Sequence, residues 1–176
     1  MNQIIGQGEK LEAEHGQAVD AIIVFVGTND FNGGIPLGEW YTYSMEKTIE
    51  DGPMEVERLH RELVYADSTF RGRANVTMRW LKTHYPDKQI ILLTPLHRGF
   101  ARFSDRNIQP PESFANACGS FIDEYVQAVK EIANVWAVPV IDLNSISGLY
   151  PMLDGQAAYY RNLETDRLHP NTPGQL

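Results

Sequence analysis

AIIVFVGTNDFNGG, residues 21–34, runs an unbroken apolar block into a cluster of small polar side chains. The block, residues 21–26, is bounded by turn formers and reads as a strand covered on both faces, inside a sheet. Gly27, Asn29 and Asp30 tolerate tight backbone geometry and cap the element that follows. The same order recurs downstream. Between residues 68 and 85, Phe70, Ala74, Met78, Leu81 and Tyr85 fall three or four apart and predict a helix ended by Pro86. QIILLTP (89–95) predicts a second buried strand, Phe121, Tyr125, Val129, Ile132 and Trp136 a second helix stripe, and VPVIDL (138–143) a third strand. Residues 96–120, rich in Arg, Pro and Asn, read as a long irregular loop of the length that functional loops have.

Helix feeding strand through short connections implies right-handed crossovers and a mainly parallel sheet, so the fold class is α/β. Ligands of such sheets sit beyond the carboxyl ends of the strands. Attention therefore falls on Gly27–Asp30, on Thr94 to Arg98, on Asn144 and Ser145, and on ETDRLHPNTPG (164–174).

Composition bounds the function. With 176 residues, 43% apolar and 22% charged, the chain reads as one globular domain able to bury a core. A net charge of -8 without a long Lys or Arg run argues against a nucleic-acid partner. The single cysteine, Cys118, excludes an intrachain disulfide and a multi-cysteine zinc site. No apolar stretch approaches the roughly 18 residues of a membrane span, and the polar start is unlike a secretory signal. The compartment is left open.

Asp166 stands three residues before His169. A carboxylate at that spacing, on a turn or single helical turn, can accept the Nδ1 proton while Nε2 points into a cleft, which fixes the tautomer and supports an imidazolium as it forms. The competing reading is an Asp that caps a terminal helix beside a surface His.

GTND after a buried strand, together with DRLHPN near the C-terminus, resembles the SGNH (GDSL) hydrolase family of serine esterases and lipases. The resemblance implies that Asn29 donates its amide to the oxyanion, that His169 is the general base and that Asp166 orients it. It also implies a flavodoxin-like three-layer α/β/α fold with a mainly parallel sheet. Gly6, about twenty residues before Asn29, is the match for the family's second oxyanion donor, with Gly8 as fallback. Gly27, Phe31, Ile35 and His97 are the expected substrate-contacting residues. No cofactor and no metal is required, and the partner implied is a small acyl ester or acetylated sugar ester, with self-association left open.

The family's Gly-Asp-Ser block has no counterpart. All seven serines follow GTND, in the wrong chain order for a nucleophile. The resulting expectation is one domain, residues 1–176, cut at both ends and lacking the first strand and last helix. A chain truly lacking that strand would fold poorly or recruit a replacement strand from a partner. Two rivals stay open: a metal-dependent phosphoesterase, which would need several ligands at spacings absent here, and a non-catalytic binding domain of hydrolase descent.

Overall fold

The anticipated strands pair in parallel, and the anticipated helices lie across one face of them. The structure, a computed structural model, describes residues 3–16, 18–50 and 52–175. In chain order its elements are α1 (Ile4–His15), β1 (Ala21–Phe25), α2 (Thr28–Asn32), β2 (Tyr41–Glu50), β3 (Met54–Leu63), α3 (Phe70–His84), β4 (Gln89–Leu93), β5 (Ala101–Ser104), β6 (Asn107–Gln109), α4 (Ile122–Trp136), β7 (Val140–Ile141), α5 (Leu143–Ile146), β8 (Tyr160–Asn162), β9 (Asp166–Pro170) and α6 (Thr172–Gln175). A 3-10 turn, Asp154–Tyr159, precedes β8.

The parallel sheet has the order β1-β4-β7, with Val24 opposite Leu92 and Leu93 opposite Ile141. α3 forms where the apolar stripe predicts it, because the Thr69 hydroxyl accepts from the Gly72 amide at its start and Lys82 and His84 complement the dipole in its last turn. α4 begins with Asp123 and Glu124 in its first turn, and Glu124 accepts from the Phe121 amide at 2.8 Å. Phe70, Met78, Leu81, Tyr125, Val129 and Ile132 from these two helices close over Val24, Ile90 and Leu92 to make the core. α1 joins the same side: Gly8 lies against the Trp80 ring so closely that an added Cβ would come within 2.4 Å of it.

The opposite face of the sheet corrects one expectation. Ile23 is 65% exposed, Phe25 53% and Ile141 41%, and Ile91 and Leu93 between them are only half-buried. Side chains alternate along a strand, so the residues that face α3 and α4 are buried and the others are not. β1 is an edge strand, covered on one face and not on both. Among the described residues the parallel sheet therefore has helices on one side only, and the three-layer arrangement is not seen.

Two segments depart from the sequence reading. Residues 96–120 are not wholly irregular: β5 and β6 form a short hairpin that joins β9 and β8 in an antiparallel sheet of order β6-β5-β9-β8. Residues 41–63 form a long two-stranded arm, β2 against β3, with Tyr41 opposite Leu63 and Glu50 opposite Met54. Its base is clamped by Asn75 of α3, fully buried, whose amide donates to the Val64 carbonyl at 2.8 Å and the Trp40 carbonyl at 3.3 Å, while the Trp136 indole donates to its oxygen at 2.9 Å. Beyond the base, residues 42–50 are exposed throughout.

Candidate active site

After β1 the chain must turn sharply into α2, and Gly27 makes the turn at φ 107°, a region that disfavours any Cβ. A Cβ here would sit 2.8 Å from the Pro95 ring. Gly27→Ala is expected to destabilise the protein by about 1–3 kcal/mol through strain and overlap together; an unchanged urea midpoint would show that the turn relaxes freely.

α2 displays Asn29 at the carboxyl end of the sheet, with its side chain exposed. The rest of the turn is anchored. Asp30 is 4% exposed and pairs with Arg73 of α3 at 3.1 Å. Phe31 is 1% exposed, edge-on to Tyr125 at 5.7 Å and beneath the Arg98 guanidinium at 4.9 Å. Arg98 is itself buried; burial pulls its pKa down to about 10 against the opposing pull of Glu112.

Across the cleft, β9 presents the second block. Asp166 is 4% exposed, and its carboxylate accepts from the Leu168 and His169 amides at 3.2 and 3.0 Å. Both carboxylate oxygens also lie 3.0–3.1 Å from His169 Nδ1. The backbone bonds hold the carboxylate in place, the carboxylate holds the ring, and Nε2 is left as the nitrogen for chemistry. The Phe103 ring of β5 stands 5.5 Å from the imidazole, centroid to centroid.

Asn29 and His169, some 140 residues apart in the chain, line one cavity of about 320 Å³ together with Gly27, Leu96 and Leu168. The first turns of α1 contribute Gln3, Ile4 and Gln7 to the same wall. Other expected site residues lie elsewhere. Gly6 is exposed on α1 and is not among the lining residues. Phe31 is consumed by the core contacts above. Ile35 is half-buried, and its carbonyl accepts from the Tyr125 hydroxyl. His97 binds Glu112 through Nδ1 at 2.9 Å and packs edge-on to Tyr150. No serine lines the cavity. Among the described residues, no three His, Cys, Asp or Glu side chains gather closely enough to hold a metal ion.

Sequence reasoning missed Gln3, Ile4, Gln7 and Phe103. The first three had a signal, since positions 3, 4 and 7 share one face of a helix. Phe103 had none, because its place depends on a hairpin joining β9 from a distant stretch.

A carboxylate-braced imidazole facing an amide donor across a small cavity at the strand ends is the kind of site that hydrolases of the α/β class carry. Residues 3–176 match the GDSL-like Lipase/Acylhydrolase family, and the chain belongs to it. Similar solved structures include a protein from Lactobacillus plantarum, 25% identical with a TM-score of 0.63, in a match covering 90% of this chain and 62% of that one. A second solved structure is 26% identical with a TM-score of 0.68, covering 94% of this chain and 63% of that one. A structure described as a possible lipase from Chitinophaga pinensis DSM 2588 is 21% identical with a TM-score of 0.53, covers 78% of this chain and 48% of that one, and bears on the fold alone. The chain thus spans less than two thirds of the length of these relatives. No curated protein is significantly similar to it. No described helix is long and apolar enough to cross a membrane.

Proposed function

We propose that the chain carries the general base and an oxyanion donor of an ester hydrolase, and that the nucleophilic serine is contributed from outside these 176 residues. The observation that supports this reading most is the shared cavity: Asn29 and the Asp166-braced His169 line it, and no serine does. In the proposed reaction the serine oxygen attacks the ester carbonyl and its proton passes to His169 Nε2. Asp166 stabilises the imidazolium, and the Asn29 amide donates to the oxygen that becomes negative. The imidazolium then protonates the leaving alkoxide, and water repeats the sequence on the acyl-enzyme.

The bare edge of β1 is where we place the strand that brings the serine. Among the described residues that edge pairs with no other strand, and the uncovered Ile23 and Phe25 of β1, on the face away from α3 and α4, need an apolar cover of the kind a helix following the added strand would supply. Residues 1–176 are accordingly read as part of one hydrolase domain. At about 320 Å³ the cavity lies near the lower end of ligand pockets, which suits a short acyl group, including an acetyl ester of a sugar, better than a long lipid chain.

The test is labelling with a fluorophosphonate and turnover of acetyl to long-chain chromogenic esters, by this chain and by a longer polypeptide with an upstream Gly-Asp-Ser segment. Labelling of that serine, with the fastest turnover on short esters, is expected. Ester turnover by the 176 residues alone at a comparable rate would remove the external nucleophile. No turnover by the longer form, with ligand binding retained, would favour the non-catalytic reading that the serine-free cavity also allows. In the active form, Asn29→Ala should lower kcat by about 10²–10³-fold with little change in KM. A change in KM alone would make Asn29 a ground-state contact.

A further inference from the structure

The β2–β3 arm is built as an amphipathic ribbon with nothing on its apolar side. Odd-numbered residues share one face, and the pairing sets Tyr43 opposite Arg61, Met45 opposite Leu59, Lys47 opposite Glu57 and Ile49 opposite Glu55. On this face Tyr43, Met45, Leu59 and Ile49 are 61–70% exposed. The even face is mostly polar and partly paired within itself, with Met54 as its one large exposed apolar side chain: Ser44 donates to Glu46 at 2.7 Å, His60 lies 3.2 Å from Glu46, and Arg58 pairs with Glu50. An isolated two-stranded ribbon is marginal in water, and exposed apolar side chains gathered on one of its two sides mark a contact surface.

The charges on the odd face indicate the occupant. The whole chain is acidic at -8, yet this face balances Lys47 and Arg61 against Glu55 and Glu57. A strongly charged partner gains nothing from it. Lys47 and Glu55 pair with each other at 3.1 Å toward the tip, which leaves Arg61 toward the base and Glu57 toward the tip as the ordered charges. Turning a second ribbon end for end about Met45 and Leu59 lays Arg61 against the opposite Glu57, and the apolar residues meet at the centre. A patch complementary to itself after a two-fold rotation is what an isologous dimer requires. The ribbon is about 33 Å long and 10 Å wide, so two such faces closed together cover roughly 700 Å², the size of a weak, reversible contact, and the dimer is expected to be concentration-dependent.

We infer that the odd face of the β2–β3 arm is a self-association surface, on which a second copy of this chain lays its own arm antiparallel about a two-fold axis near Met45 and Leu59.

The experiment measures the mass of the chain in solution by light scattering and sedimentation. The wild type should have twice the monomer mass, and Met45→Glu with Leu59→Glu should return it to the monomer with unchanged far-ultraviolet circular dichroism. Arg61→Glu and Glu57→Arg should each weaken association at least about tenfold, and the two together should restore it. Rescue by the double swap separates the interface from a folding defect. In a Cys118→Ser background, Met45→Cys should form a disulfide-linked dimer on mild oxidation and Thr48→Cys, on the other face, should not. A wild-type chain that is monomeric at about 100 µM overturns the proposal. So does a dimer indifferent to these changes, or an arm that binds neutral lipid vesicles while the chain stays monomeric.

Discussion

With His169 replaced by alanine in the assembled hydrolase, kcat for a short-chain ester is expected to fall by about 10⁴-fold or more, with thermal stability nearly unchanged. The asymmetry follows from the environment of the two residues. The His169 side chain is 49% exposed, so its loss removes little packing, whereas the Asp166 side chain is 6% exposed and three hydrogen-bond donors depend on it. Asp166→Asn should keep the two amide bonds but present the wrong partner to Nδ1, lowering kcat by about 10³–10⁴-fold with a milder effect on folding. Steady-state kinetics with a chromogenic acetyl ester and a parallel melting curve separate the two cases. Activity within tenfold of wild type for His169→Ala would take the imidazole out of the reaction.

The largest expected effect on stability comes from Asn75→Leu. The substitution nearly conserves volume, so no large cavity results, but it leaves the Trp136 indole without its acceptor and deprives the Val64 carbonyl of its donor. Removing one side of buried hydrogen bonds costs about 1–3 kcal/mol for each group left unsatisfied. A total of about 2–4 kcal/mol corresponds to a melting temperature lower by roughly 5–15 °C for a chain of this size. The change should also loosen the base of the arm, because Asn75 ties Trp40 and Val64, on either side of it, to α3. Calorimetry reads the first effect and hydrogen exchange at residues 41–63 the second. A melting temperature within about 2 °C of wild type would mean that water replaces both bonds.

What could be read from the residues was what has a period or a fixed spacing. The stripe from Phe70 to Tyr85 and the stripe from Phe121 to Trp136 gave helices within two residues of the observed ends. The apolar blocks gave strands, although the third shrinks to Val140–Ile141. The place of Asn29 follows from the rule that ligands of a parallel sheet gather at the carboxyl ends of its strands, whereas His169 stands on β9 of the antiparallel sheet and was legible only from the DRLHPN motif. Whether a strand is covered on one face or two was not legible. An apolar block such as AIIVF looks the same in both cases, and what covers it lies elsewhere in the chain or outside it. The long arm was partly legible and missed: YTYSMEKTIE and the start of MEVERLHREL alternate in polarity around Asp51-Gly52, a hairpin signal that Arg58 and His60-Arg61-Glu62 interrupt. β5 and β6 were too short and polar to carry one. Phe31 and Ile35 failed as pocket residues because proximity to GTND in sequence says nothing about side: α2 turns Phe31 toward Tyr125 and away from the cleft.

In the proposed hydrolase, the uncovered side of the parallel sheet would make folding and assembly one equilibrium. Whatever shields Ile23, Phe25 and Ile141 binds the folded form alone, so by mass action it raises the free energy of unfolding with the logarithm of its concentration. A melting temperature measured on these 176 residues is therefore a floor, and the gap between it and the value for the shielded form reports the affinity of the shield.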